Sequence, residues 1–195
     1  QSQSQITNKA IKLQPGIELS NLKNAKGLLI YDIESDPDIK HDFLHGFIRI
    51  PNNLCKDINV NKIKYSPLLN LEKNTENFLW KRIKRKLNNH KGLPILHYGE
   101  TEPISLIKLG LRQGARPHEI DAIKKRFIDI HLLIKEYYCL PVSNYGLKSI
   151  AEYIGFEWQQ SNADGARALL WWRQWKESRR LNNIYSKNLN SIFKY

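Results

Sequence analysis

Several residue types and segments are missing from this 195-residue sequence, and each absence narrows the class of protein. It contains no methionine, which predicts a processed chain or a piece of a longer protein. Its two cysteines, Cys55 and Cys139, are too few for a disulfide framework, and their apolar neighbours predict buried thiols in a reducing cytoplasm. No apolar run is long enough to cross a bilayer, and residues 1–12 lack the apolar core of a secretory signal.

The residues that are present indicate one folded, basic domain. Hydrophobic residues make up 41% of the chain, which excludes a disordered protein, and the length suits one domain better than two. We predict a polar lead-in over residues 1–26, with a short extended piece near Ile11, and one domain over 27–195. A net charge of +12 favours polyanionic partners, nucleic acid first and an anionic membrane second. A generally lysine-rich composition is the alternative explanation for part of this charge.

An apolar run that ends in two acids organises the sequence. Residues 27–34 read as a buried strand that finishes with Asp32 and Glu34. Because side chains alternate between the faces of a strand, both carboxylates would project from the same side. A divalent cation would offset their repulsion, and oxygen ligands favour Mg²⁺ or Mn²⁺. The alternative is a strand that simply runs into the polar turn at residues 35–38.

Hydrophobic periodicity predicts an α/β chain. Strands over 27–34, 41–50 and 58–65 would form an antiparallel meander, with Gly46 as a candidate bulge. Further strands are predicted over 93–99 and at 126–131. Helices are predicted over 75–92, from 100–103 onward, and over 118–125, 132–138, 143–155, 163–178 and 181–195.

The first predicted helix has an apolar face and a basic face. Its basic side chains are candidates for contacts with nucleic-acid phosphates. A solvated lysine-rich face is the alternative, and it is the more common reason for such a pattern. The candidate residues are Lys81, Arg82, Lys84 and Arg85.

Two further acids lie where a predicted strand ends and a predicted helix begins. Glu102 lies between a short apolar strand and a helix whose first turn contains Pro103. Such junctions often bind ligands in α/β folds, although an acid there also complements the helix dipole. Asp129 interrupts an apolar stretch, which is typical either of a helix cap or of a polar site.

The order of these elements and motifs resembles a ribonuclease H-like fold of the DEDD 3′–5′ exonuclease superfamily. Within that superfamily, the chain is similar to the RNase H-like domain of predicted bacterial nucleases of the RecB family. The resemblance covers about residues 27–195 and implies a mixed sheet, with an antiparallel three-strand meander and parallel strands, flanked by helices. The motifs that carry it lie at residues 31–34, 97–102, 127–130, 145–151, 155–158, 163–166 and 171–172.

The resemblance implies a set of site residues. Asp32, Glu34 and Glu102 would bind two Mg²⁺ or Mn²⁺ ions, Asp129 would support them, and Asp164 falls in a motif that matches in part. A fourth metal ligand would lie beyond Tyr195, so that this chain alone would cleave weakly or not at all. Lys148 joins the basic candidates for nucleic-acid binding. His97 and His131 are candidates for a general base, with a hydrogen-bonded core histidine as the alternative for each.

Three functions follow from these observations. The first is a metal-dependent nuclease, a 3′–5′ exonuclease acting on DNA or RNA within a larger cytoplasmic protein of RecB type, without membrane partners. The second is a catalytically incomplete module that binds nucleic acid. The third is a structural scaffold whose charge is compositional.

Overall fold

The computed structural model describes residues 4, 7–15, 22, 24–51, 63–70, 75–157 and 165–180. None of the described helices is long and apolar enough to span a membrane. The strands are β1 (Ile11–Lys12), β2 (Gly27–Asp36), β3 (His41–Pro51), β4 (Tyr65–Leu69), β5 (Ile95–His97), β6 (Phe127–Asp129) and β7 (Tyr138–Cys139). The helices are α1 (Glu76–Asn89), α2 (Thr101–Arg112), α3 (Pro117–Lys124), α4 (Ile130–Tyr137), α5 (Leu147–Tyr153) and α6 (Gly165–Arg180).

The larger described sheet has five strands in the order β4-β3-β2-β5-β6. Strands β2, β3 and β4 pair antiparallel, whereas β5 pairs parallel with both β2 and β6. The predicted mixed sheet with a meander and parallel strands, flanked by helices, is therefore confirmed. The carboxyl ends of β2 and β5 point the same way, which brings the residues that follow β5 towards the acidic end of β2.

One face of this sheet carries the main core. Leu29, Tyr31 and Ile33 alternate inward along β2 and pack against the apolar faces of α1 and α2. This arrangement removes a large apolar area from water and fixes which face Asp32 and Glu34 occupy. The helix residues in this core include Leu79, Trp80, Ile83, Leu87, Leu106 and Leu109.

Helix α6 covers part of the opposite face, near the end of β2. Trp172 is fully buried there and stacks on Phe43 and Trp175, with ring centroids 4.9 and 5.1 Å apart. Arg173 reaches the same strand end and binds Asp36 through two nitrogen–oxygen contacts of 2.6 and 3.0 Å. Trp172 is therefore a packing residue that holds α6 against the sheet.

Three local predictions differ from the structure. The third strand starts at Tyr65 and continues through Pro67, which an edge strand tolerates, while residues 58–62 of the prediction lie outside the described part. The register shift falls opposite Glu34 and Ser35, leaving Phe43 as the extra residue, so Gly46 is not the bulge. Cys139 is half-buried rather than buried, because it belongs to a two-stranded surface sheet, and Cys55 lies outside the described residues.

The lead-in contacts the domain. Strand β1 pairs antiparallel with β7, and the backbone N–H of Ala10 donates to the Tyr153 hydroxyl at 3.0 Å. The extended piece predicted near Ile11 is therefore present, whereas the domain boundary at residues 26 and 27 stays a prediction. The predicted helix over 181–195 lies outside the described residues.

Candidate active site

Strand β2 places its two acids on the face opposite the main core. Asp32 and Glu34 alternate with the buried residues Tyr31 and Ile33, as the period of a strand requires. Glu34 lies next to the start of α6, where a Cβ added at Gly165 would come within 3.5 Å of its Oε2 atom. The end of β2 therefore meets the first residue of a helix that comes from the far end of the chain.

Asp32 also meets the start of α2. The carboxyl groups of Glu102 and Asp32 lie close enough to interact, and this interaction raises the pKa of Glu102 while it lowers that of Asp32. Two carboxyl groups in close proximity favour protonation of one of them, because two adjacent negative charges repel each other. The strand end and the helix start thus bring together a pair of acids.

Glu102 is the neutral partner for physical reasons. Burial, followed by the nearby charges of Asp32 and Asp129 and the hydrogen bond to Asp32, raises the pKa of Glu102 to about 7, against the lowering effect of a backbone amide. The residue is 8% exposed, and its Oε2 atom has no hydrogen-bond partner. A buried oxygen without a partner is unfavourable unless a ligand satisfies it.

Asp32 keeps contact with solvent but is surrounded by protein atoms in a concave site. Loss of hydration raises its pKa, while hydrogen bonds from Ile33 and Glu102 act in the opposite direction. Asp32 is consequently the carboxylate of the pair and the group that faces the groove.

The acids line a groove on the uncovered part of the sheet face. The groove has a volume of about 650 Å³, in the range that suits a small ligand or a single nucleotide. Its walls are mostly apolar and come from β2, β3, β4, β5 and the starts of α4 and α5. Lining side chains besides the acids include Ile30, Ile48, Tyr65, Leu96, Tyr98 and Leu147.

Tyr65, which the sequence analysis did not single out, and Gly46, which it interpreted as a candidate bulge, lie beside the acids. Gly46 is the cross-strand partner of Asp32, and the ring of Tyr65 lies against it. Burial and the charges of Asp32 and Glu34 raise the pKa of Tyr65. A glycine in a strand interior next to two acids was the available signal, because such glycines mark close approach.

A second polar pair is buried beneath the acids and also lacked a sequence signal. The Tyr31 hydroxyl and His45 Nδ1 lie 2.8 Å apart, with both rings fully buried. Burial lowers the pKa of His45 to about 4, so the imidazole is neutral at physiological pH. This pair supports the strand that carries Asp32.

Asp129 is a helix cap that also holds the loop before Glu102. Its Oδ1 accepts hydrogen bonds from the amides of His131, Leu132 and Gly99, at 2.8, 3.3 and 3.1 Å. Of the two sequence interpretations, the cap is therefore the one that these contacts establish. Its charge also raises the pKa of Glu102, which links the cap to the acid pair.

The two candidate histidines occupy structural positions. His97 is buried, with Nδ1 2.6 Å from the Gly99 carbonyl oxygen, which matches a hydrogen-bonded core histidine. His131 packs against the ring of Tyr98 at a centroid distance of 5.2 Å. The contacts described for these two imidazole rings do not include either acid of the pair.

The basic candidates on α1 do not meet the acids. Helix α1 packs against the core face of the sheet, so its basic side lies across the sheet from the groove. Lys84 forms an ion pair with Glu119 at 2.9 Å, and Lys81 lies over the Phe78 ring. Arg82 and Arg85, the other two basic candidates, belong to the same helix. Lys148 lies in the first turn of α5, directly after Leu147, which lines the groove.

The acids fit a hard divalent cation in part. Carboxylate oxygens are suitable ligands, and the partnerless Oε2 of Glu102 is available beside Asp32. Among the residues that the structure describes, however, no three Asp, Glu, His or Cys side chains are grouped to hold a metal. Asp164 lies outside the described residues. The described pair therefore supplies a partial cation site, with Glu34 further along the same strand.

Comparison with known families agrees with this geometry. A family model described as RNase H superfamily matches residues 29–195, which is most of the chain. Searches of curated proteins and of solved structures found no significant match. The matched range includes both acids of β2, the Glu102 junction and all of the five-stranded sheet except the first two residues of β2. The chain therefore belongs to the RNase H superfamily.

Proposed function

We propose that this chain is a divalent-cation-dependent nuclease domain that hydrolyses phosphodiester bonds of DNA or RNA. Superfamily membership supports nuclease-type activity on nucleic acid. The observation that carries the proposal is the proximity of Glu102 to Asp32, which brings a buried acid from a distant part of the sequence next to an acid that lines the groove. Acids with raised pKa values beside a groove are typical of functional sites.

The proposed roles follow from the position of each acid. Asp32 and Glu102, together with Glu34, would hold Mg²⁺ or Mn²⁺. When bound, the cation would polarise the phosphate and lower the pKa of a bound water. Asp129 would act as a positioning residue, because it holds both the Gly99 amide and the start of α4.

The raised pKa of Glu102 favours its protonated form near neutral pH, and this form limits the repulsion between the two acids. Cation binding would require Glu102 to lose the proton, so protons and cation would compete for the same oxygens.

The proposal extends to cleavage from a 3′ end within a longer protein of RecB type. A groove of about 650 Å³ would accept a terminal nucleotide more readily than a duplex, which favours an exonuclease. A second candidate is a nucleic-acid-binding module that does not cleave. The lack of a three-ligand group among the described residues and the net charge of +12 favour this alternative.

The test combines cation binding with cleavage. Thermal unfolding with and without Mn²⁺ would be measured for the full 195-residue chain, for Asp32→Asn and for Glu102→Gln. Cleavage would be followed on single-stranded DNA and RNA carrying a label at either end, and on circular DNA, which has no ends. Glu100→Gln is the matched control, because Glu100 is an exposed acid two residues from Glu102.

We expect Mn²⁺ to raise the melting temperature of the wild type and of Glu100→Gln, but not that of Asp32→Asn or Glu102→Gln. We expect any cleavage by this chain to be weak, to be confined to linear substrates, and to be lost in the same two variants. Salt-sensitive DNA binding with no Mn²⁺ effect on stability or cleavage would instead support the binding module. Cleavage that is unchanged in Asp32→Asn would contradict the proposed site.

A further inference from the structure

Tyr65 and Gly46 form a close contact directly across the strand from Asp32. A Cβ added at Gly46 would lie 2.7 Å from the Tyr65 hydroxyl oxygen and 2.8 Å from Cε2. These distances are far below van der Waals contact, so no side chain fits at Gly46 while Tyr65 keeps this position. The absence of a side chain at Gly46 therefore permits the Tyr65 ring to lie in this position.

The position that Gly46 permits faces the acids. Tyr65 lines the same groove as Asp32 and Glu34, and the charges of both acids act on its phenol. Burial and these charges keep the phenol protonated, so that near these anions the hydroxyl is a neutral hydrogen-bond donor. The Tyr65 hydroxyl is thus a groove residue that can donate a hydrogen bond near Asp32 and Glu34 without adding a charge.

The ring of Tyr65 is only partly covered by protein. The residue is 44% exposed even though it lies in a strand and beside a groove with mostly apolar walls. The uncovered ring face and the apolar side chains of Ile30 and Ile48 offer a surface for the flat, apolar faces of a nucleotide.

We propose that Tyr65 is a substrate-contacting residue whose hydroxyl donates a hydrogen bond to an oxygen of the phosphate held at the acidic centre. Its ring packs against the adjoining sugar or base, and Gly46 keeps the ring in place. This inference rests on the proposed nuclease function and adds to it a residue of β4 that no family motif identified. The ligand chemistry is a phosphodiester joined to a nucleoside, and the phenol contributes recognition without adding a positive charge.

Three variants separate the hydroxyl from the ring. Tyr65→Phe removes only the hydroxyl, Tyr65→Leu removes the ring as well, and Gly46→Ala displaces the intact tyrosine. Tyr153→Phe is the control, because that tyrosine lies on α5 and contacts Ala10, away from the groove. Circular dichroism and thermal unfolding would show that each variant folds.

The measurements are steady-state cleavage of an end-labelled single-stranded oligonucleotide with Mn²⁺ and its binding with Ca²⁺. For Tyr65→Phe we expect kcat to fall about tenfold with little change in KM, as for loss of a hydrogen bond to a charged group. For Tyr65→Leu we expect a similar fall in kcat and, in addition, a several-fold rise in both KM and Kd. Gly46→Ala should resemble Tyr65→Leu, and combining the two should add little, because both act on the same ring.

Two outcomes would overturn the inference about Tyr65. One is kcat, KM and Kd equal to wild type in folded Tyr65→Phe and Tyr65→Leu. The other is wild-type protein that binds Mn²⁺ but no oligonucleotide at low salt. Failure of the nuclease proposal is recognised separately, because Mn²⁺ would then fail to stabilise the wild type or would stabilise Asp32→Asn equally.

Discussion

The carboxyl group of Glu102 lies beside that of Asp32, although two strands, a helix and a further strand lie between them in the sequence. The contact forms because β5 runs parallel to β2, so the helix that follows β5 begins beside the acidic end of β2. The register of the sheet thereby turns two separate acids into one pair. Four predictions follow from this pair and from the elements around it.

The raised pKa of Glu102 predicts how the stability of the cation-free protein depends on pH. Because the folded state holds this proton up to about pH 7 and the unfolded chain loses it near pH 4.5, stability falls as pH rises between these values. We expect unfolding in urea with EDTA to show a loss on the order of 2 kcal/mol between about pH 5 and about pH 8 from this group. Glu102→Gln should remove that part of the loss.

Glu100→Gln is the control for this measurement and should keep the pH dependence of the wild type. Equal pH profiles for wild type and Glu102→Gln would show that Glu102 titrates as an ordinary exposed acid. Mn²⁺ at about pH 8 should restore stability if the cation takes the place of the proton.

The contacts of Asp129 predict that its removal lowers the stability of the fold and also lowers the pKa of Glu102. Its carboxylate accepts three backbone hydrogen bonds, so Asp129→Ala should lower the free energy of unfolding by about 1–2 kcal/mol. Loss of its charge should also lower the pKa of Glu102 towards the ordinary range. Asp129→Asn, which keeps an accepting oxygen, should retain much of the stability but share the pKa change, as urea unfolding at several pH values would show.

Asp36 and Arg173 predict acid sensitivity at the contact between β2 and α6. Arg173 lowers the pKa of Asp36 by hydrogen bonding to the carboxylate. The resulting stabilisation is present above the pKa of the unfolded chain, near 4, and is lost as pH falls through the lower pKa of the folded state. Asp36→Asn should therefore unfold more easily at neutral pH, and its difference from wild type should shrink below about pH 4 in thermal scans.

Lys148 and Arg85 predict a contrast between the two sides of the sheet. Lys148 directly follows Leu147, which lines the groove, whereas Arg85 belongs to the helix packed on the other face. Lys148→Gln should weaken oligonucleotide binding about threefold and reduce its salt dependence, while Arg85→Gln should change either by less. Fluorescence anisotropy over a range of salt concentrations is the measurement, and a larger effect for Arg85→Gln would place the nucleic acid across the sheet.

Much of the fold could be predicted from local pattern. Alternating apolar residues identified β2 and β3, and the period of the helices identified α1 to α6 with ends that differ by a few residues. The alternating pattern of residues 58–65 predicted a strand that ends at Tyr65, whereas β4 begins there. The position of β4 depends on pairing with β3, a contact that local periodicity does not contain.

Only part of the candidate site could be predicted from local sequence patterns. Asp32 and Glu34 are recognisable because they end an apolar strand, and Glu102 because it starts a helix after another strand. The basic residues of α1 were candidates because they form the polar face of a predicted helix, and the packing of that helix places them away from the groove. Tyr65 was not identified, because a tyrosine in an edge strand is ordinary until its contact with Gly46 is known.

The sequence by itself determined the mixed α/β character, the acid-bearing strand, the apolar faces of its helices and the basic charge. These properties depend on residue types at short spacing, which each segment carries on its own. The tertiary structure decided that Asp32 meets Glu102, that Gly165 stands beside Glu34 and that Tyr65 lies over Gly46. Such contacts depend on strand order and register, and the burial of the whole core, rather than any single segment, fixes both.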